Sequence, residues 1–247
     1  MEKLRFLTQG ETGLVVELGN KIDPKVNTRV HELSQLIQTK YSHLIETVIP
    51  TYCSLLVFFD PLQIARNELI QKIKDIVATM PEEQSEATGS KTVVVPTLYG
   101  GEAGPDIEIV AKHNNLDIEE VIHIHSSVAY RIYMLGFTPG FPYLGGMSEK
   151  IAAPRLKTPR TRIPAGSVGI AGTQTGVYPI ESPGGWQLIG RTPLKVFNPS
   201  AQQPFLYAAG DFLQFEPISA LEYIRIQQEV AQGSFCPRTI SKKEAGK

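Results

Sequence analysis

The sequence predicts an α+β protein in two parts: a small N-terminal α/β sandwich, strand-strand-helix occurring twice, then a larger part made mostly of short strands. Three observations carry this. Apolar positions in residues 1–80 recur with strand and helix periods in turn. Residues 81–91 (PEEQSEATGSK) are polar, contain Pro, Gly and Ser, and have no apolar period. Between 131 and 192 lie 11 of the 21 glycines and 7 of the 18 prolines, the pattern of short strands joined by tight turns. The expected organisation is therefore an N-terminal domain over 1–80, a linker over 81–91, a second domain over 92–226 and a flexible tail over 227–247.

In the first part, Leu14, Val16 and Leu18 share one face of a strand. Asp23-Pro24 opens a helix: Asp accepts orphan N–H bonds, and Pro fits the first position because its missing N–H is not needed there. Val26, Val30, Leu33 and Ile37 then form one apolar face. Residues 44–49 (LIETVI) and 54–59 (SLLVFF) read as strands. Asp60-Pro61 is expected to open a second helix, with Leu62, Leu69, Ile73 and Ile76 on one face. The two Asp-Pro starts lie 37 residues apart, which suits either a duplication or a coincidence of common elements.

In the second part, residues 92–96 (TVVVP) read as a strand, with short helices near 106–113 and 117–125. Short strands follow around 130–136, 167–172, 176–180, 186–191 and 212–217, arguing for a β-barrel or sandwich. From 227 no apolar period remains, hence the flexible tail.

Several function classes are disfavoured. The net charge of -1 does not suit a dedicated nucleic-acid binder. No apolar run approaches the roughly 20 residues that span a bilayer, and the first residues lack the apolar core of a signal peptide. No membrane association is expected, and the cytoplasm is the expected compartment. Cys53 and Cys236 fit no CxxC pattern, so no metal site is expected. Phosphate-loop, dinucleotide, HExxH and GxSxG signatures are all missing, which weighs against a stand-alone enzyme.

The chemistry concentrates in one region. Residues 136–146 (GFTPGFPYLGG) set Phe137, Phe141 and Tyr143 among glycines, either walling a pocket or packing a barrel corner. Residues 154–164 (PRLKTPRTRIP) carry Arg155, Lys157, Arg160 and Arg162 without an acid. Such a run is either a solvated loop or an anion site. Seven cations against Glu149 and Glu181 over 131–192 favour the anion site, since Arg pairs bidentately with carboxylate and phosphate. Gly184-Gly185 offers consecutive amides for an anion-binding nest or a hairpin turn, and the sole tryptophan, Trp186, reads as a core anchor. Arg191 follows. His123 and His125 face different ways on a helix and make a poor metal pair. His125 suits either an acid/base role or, more often for such a residue, a satisfied structural one.

GFTPGFPYLGG, PRLKTPRTRIPAGSVGIAG and YPIESPGGWQLIGRT, in this order, resemble the allophanate-hydrolase-subunit-1 family. Its members include the B subunit of 5-oxoprolinase, a sporulation-kinase inhibitor and a domain of urea carboxylase and urea amidolyase. The likeness extends to GEAGPD at 101–106, His125, Tyr130 and IPTYCSLLVFFDP at 49–61. Cys53 is a departure, standing where the family commonly has Arg. The resemblance implies a cyclophilin-like β-barrel for the larger part. It also implies a hydrolase subunit, inactive alone, that acts with subunits A and C to open 5-oxoproline to glutamate with ATP and Mg at the level of the complex. Two alternatives come with the family: an inhibitor bound to a sensor histidine kinase, and a component of allophanate hydrolase or urea carboxylase. A lactam is a poor electrophile, and phosphorylating its oxygen would activate it, a step that calls for cations. On this reading the candidate catalytic residues are His125, Arg160 and Arg162. The candidate substrate- or phosphate-binding residues are Phe137, Phe141, Tyr143, Arg155, Gly184, Gly185 and Arg191.

Overall fold

The computed structural model describes residues 4–81 and 90–241. Most of the expected linker, 82–89, and the last residues of the tail, 242–247, lie outside the described residues. The chain divides into two compact units, Met1–Thr88 and Gly89–Lys247.

The first unit runs β1 (Arg5–Gln9), β2 (Gly13–Glu17), α1 (Pro24–Tyr41), β3 (Ile45–Pro50), β4 (Ser54–Phe59) and α2 (Arg66–Thr79). Strand-strand-helix thus occurs twice. The sheet is antiparallel throughout, in the order β1-β2-β4-β3. Alternation places Leu14, Val16, Leu55, Val57 and Phe59 in one core with Val30, Leu33 and Ile37 of α1 and Leu69, Ile73 and Ile76 of α2. Asp23 caps α1 as expected, accepting from the Lys25 and Val26 amides at 2.7 and 3.1 Å.

The second Asp-Pro pair behaves differently. Asp60 accepts from Leu62 N–H at 2.9 Å within a turn, and α2 begins only at Arg66, after Ala65. Leu62, expected on the buried face, is 95% exposed. An Asp-Pro pair initiates a turn as readily as a helix, and here the apolar stripe starts too late for the helix to reach back to it.

The second unit is a mixed barrel-like sheet with flanking helices. It comprises β5 (Lys91–Tyr99), α3 (Ile107–Asn114), α4 (Ile118–Ser126), β6 (Ala129–Leu135), β7 (Pro142–Gly145), β8 (Arg160–Ile163), β9 (Ser167–Ala171), β10 (Gln174–Val177), β11 (Ser182–Gly184), β12 (Gln187–Arg191), β13 (Phe212–Pro217), α5 (Ala220–Gln232) and β14 (Thr239–Ser241). The main sheet is ordered β10-β9-β12-β5-β13-β6-β7, with β14 also on β5; only β13 and β5 run parallel. The end strands approach each other at Gly176, where an added Cβ would lie 3.3 Å from the Phe141 ring and 3.5 Å from the Pro142 carbonyl oxygen. The barrel is thereby nearly closed around Val93, Val95, Ile132, Val168, Ile170, Ile189, Leu213 and Phe215. A separate two-stranded ribbon, β8 with β11, carries the basic segment.

The tail is corrected over its described part. Ser219 accepts from Glu222 N–H at 3.2 Å to start α5, and left-handed Gly233 ends it. The chain then pairs β14 with β5, Thr239 opposite Val93. Ile226 is buried on α5, so its burial and the strand pairing of β14 order a segment whose composition shows no period.

A cationic ribbon and its adjoining cavity as the candidate functional site

The segment 160–163 is extended because it pairs with β11, Arg160 opposite Gly184 and Ile163 opposite Ser182. Alternation then separates its two arginines from the buried Ile163. Arg160 turns inward: its Nη2 donates to Asp106 Oδ1 at 2.7 Å, and its Nη1 lies 3.4 Å from the Trp186 carbonyl oxygen. Asp106 is buried, and its other oxygen accepts from Leu188 N–H at 2.7 Å. One carboxylate thus ties the start of α3, β12 and the ribbon together. Arg162 faces solvent and pairs with Glu181 at 2.7 Å.

Beneath the ribbon lies an aromatic cluster. Phe141 is its hub, with ring centroids 5.6 Å from Tyr143, Tyr178 and Trp186 in edge-to-face contacts. Phe137 joins at 5.8 Å from outside, 71% exposed and with φ at 62°, a conformation costly for a bulky residue. The cluster is packed, so Phe141 acts as core and not as pocket wall; Tyr143 is half-buried and Phe137 open. Burial pushes the Tyr178 hydroxyl up to about 12, while the charges of Arg155 and Arg160 and a Trp186 backbone hydrogen bond pull the other way.

Gly184 and Gly185 do not form a nest. Neither is among the glycines with positive φ, and a nest needs alternating backbone hand. Gly184 is instead a close-approach position: an added Cβ would stand 2.6 Å from the Tyr178 hydroxyl and 2.8 Å from Ile163 Cδ1. The Gly185 carbonyl accepts from Leu156 N–H at 2.7 Å and anchors the basic segment.

His125 lies away from any open surface, wholly buried in the barrel core and stacked on Phe215 at 4.5 Å. Its Nδ1 is 2.7 Å from the Tyr99 hydroxyl and its Nε2 is 2.7 Å from Thr175 Oγ1. Thr175 gives its single proton to the Gly169 carbonyl at 3.1 Å, so Nε2 carries the histidine proton and Nδ1 accepts from Tyr99. Burial drives its pKa down to about 3. Neutral and doubly satisfied, it is a structural histidine, and the acid/base assignment is corrected on that ground.

Beside the ribbon, a cavity of about 370 Å³ is lined by residues that include Glu181, Arg191, Lys195, Phe197, Tyr223 and Gln227. Arg191 ends β12, and its Nε donates to the Ala165 carbonyl at 3.1 Å. Gly166, at φ 83°, lets that loop approach, since a Cβ there would collide with the Thr192 carbonyl oxygen. The charges of Arg155 and Arg160 both act on the Tyr178 hydroxyl, and Arg162 is linked through Glu181 to the cavity of Arg191. Asp106, Tyr178, Glu181, Lys195 and Tyr223 are the site residues that sequence reasoning missed. Asp106 and Tyr178 sit inside GEAGPD and YPIESPGGW, where the glycines and cations drew attention instead.

A family described as carboxyltransferase domain, subdomain C and D, matches residues 4–207 of this chain. The chain belongs to this carboxyltransferase-domain family. Within it, the chain is 46% identical over 230 residues to the B subunit of 5-oxoprolinase from Bacillus subtilis, covering 89% of this chain and 95% of the relative. It is 37% identical over 217 residues to the B subunit of 5-oxoprolinase from Escherichia coli O157:H7, covering 88% and 97%. A solved structure of a conserved uncharacterized protein from Pyrococcus horikoshii is 46% identical, with a TM-score of 0.53 over 89% of this chain and 100% of that one. The K. lactis urea amidolyase shares the fold, with a TM-score of 0.79 at 20% identity, over 96% of this chain and 16% of that much longer one. Among the described residues no helix is long and apolar enough to cross a membrane.

Proposed function

We propose that this chain is the B subunit of an ATP-dependent 5-oxoprolinase, working in the cytoplasm with subunits A and C to convert 5-oxo-L-proline and water into L-glutamate. What carries the reading is the likeness to the two 5-oxoprolinase B subunits over nearly the whole length of both partners. The cationic ribbon and its cavity support it, because the substrate of such a complex is a carboxylate. Arg155 and Arg191 are the arginines of this region left to meet an anion, since Arg162 is paired with Glu181. Arg160 is a positioning residue, since Asp106 already occupies it.

ATP and Mg belong to this reading at the level of the complex. Among the described residues no group of three or more His, Cys, Asp or Glu is gathered as a metal site. The test is reconstitution: glutamate release should need subunits A and C together with this chain.

A second reading has one observation behind it. Phe137 and Phe205 are 71% and 42% exposed, and exposed aromatics of this kind suit docking onto a protein such as a sensor histidine kinase. Stoichiometric binding to a kinase, with a Phe137→Ala variant losing it, would favour this regulator over the enzyme subunit. A role in urea carboxylase or allophanate hydrolase is supported by the shared fold and by 26% identity to the urea amidolyase of Lachancea kluyveri, over 94% of this chain but 14% of that protein.

A further inference from the structure

The cavity beside the ribbon has an unusual wall. Arg191 is held through Nε alone, leaving both terminal nitrogens of its guanidinium without a hydrogen bond among the described residues. Lys195, the Tyr223 hydroxyl and Gln227 also line the cavity, and none has a hydrogen-bond partner among the described residues. Tyr223 shares this cavity with Arg191, whose guanidinium charge opposes the upward push of burial on its hydroxyl. Glu181 lines the same cavity, with its Oε2 engaged by Arg162.

We infer that this cavity is the binding site for a small monocarboxylate that also bears an N–H donor, with Arg191 as the carboxylate clamp. Two parallel N–H groups of one guanidinium match the two oxygens of a carboxylate. Tyr223 and Lys195 supply further donors to the same group. Glu181 and the Gln227 carbonyl are acceptors for an amide or ammonium N–H. The Glu181 carboxylate disfavours a polyphosphate, whose oxygens would meet a like charge. About 370 Å³ is ample for a ligand the size of an amino acid and lies at the small end for binding pockets. Two of the five polar groups come from α5, so the C-terminal helix is part of the site and not a trailing segment.

The naming of 5-oxoproline and glutamate as the ligands to try rests on the proposed function; the class of ligand does not. The test is calorimetric titration of the full chain with 5-oxoproline, glutamate and Mg-ATP, repeated on Arg191→Met, Tyr223→Phe and Lys195→Ala. Saturable binding of either acid is expected. It should weaken roughly tenfold or more in Arg191→Met and several-fold in Tyr223→Phe, with no competition from ATP. Tyr223→Phe removes one oxygen, so it guards against a variant that merely misfolds. Binding indifferent to Arg191 and Tyr223, no binding of either acid, or displacement by ATP would each overturn the assignment. An active three-subunit complex whose KM for 5-oxoproline ignores Arg191→Met would also overturn it while leaving the proposed function standing. Acid binding at Arg191 in a chain that supports no turnover would sustain the site and sink the proposed function.

Discussion

Asp106 and Arg160, 54 residues apart in sequence, are joined by a 2.7 Å charge-assisted hydrogen bond. The carboxylate is buried and the guanidinium half-buried. Removing Arg160 leaves a buried carboxylate with only the Leu188 amide among the described residues. Arg160→Ala should therefore cost about 2 kcal/mol, and Asp106→Ala about 3 kcal/mol because it frees an amide as well. Urea unfolding of both single variants and the double variant checks this. A double variant no worse than Asp106→Ala is expected, and strict additivity would show that the pair is not coupled.

That bond also shows where sequence reading stops. The basic run 154–164 was legible as a charge excess, but nothing in it distinguishes Arg160, which binds inward, from Arg162, which faces water. The two share one face of β8, and the difference comes from the partner each meets, buried Asp106 for Arg160 and exposed Glu181 for Arg162, both distant in sequence. Likewise Gly184 reads as backbone freedom, whereas its use is space for Tyr178. The apolar periods that marked β2, α1, β4 and the latter half of α2 were local, and they were visible. Long-range features were not: β14 on β5, the late start of α2, and α5 over the cavity. Even there Ser219 and Gly233 bracketed α5 as cap residues.

His125 yields a pH prediction. Its folded pKa, about 3, lies below the ordinary 6.5. The unfolded chain takes up a proton below about 6.5 that the native chain refuses until about 3. Its stabilising contribution is thus full above pH 6.5 and is lost as pH falls towards 3, by on the order of 3–5 kcal/mol in all. Histidine NMR signals should show His125 as an unchanging Nε2–H tautomer between pH 5 and 8. A midpoint near 6.5 would contradict the buried network.

Gly184→Ala should destabilise the second unit by about 1–3 kcal/mol through overpacking against Tyr178 and Ile163. Tyr178→Phe in the same chain removes the 2.6 Å approach to the hydroxyl but not the 2.8 Å approach to Ile163. Partial rescue of the thermal midpoint is expected, and full additivity would place the strain elsewhere.

Truncation after Gln232 removes β14 and the Arg238 carbonyl that accepts from Val94 N–H at 2.9 Å. The second unit should lose about 1–3 kcal/mol and gain hydrogen exchange at Val93 and Val94. Unchanged exchange there would mean the edge strand contributes nothing.

The most direct test of the whole account is conversion of labelled 5-oxoproline to glutamate with ATP and Mg by this chain mixed with subunits A and C. Turnover that disappears when any one component is omitted, and returns when this chain is added back, is the expected result. Turnover by A and C alone at the full rate, or none from a folded and assembled three-subunit mixture, would contradict it.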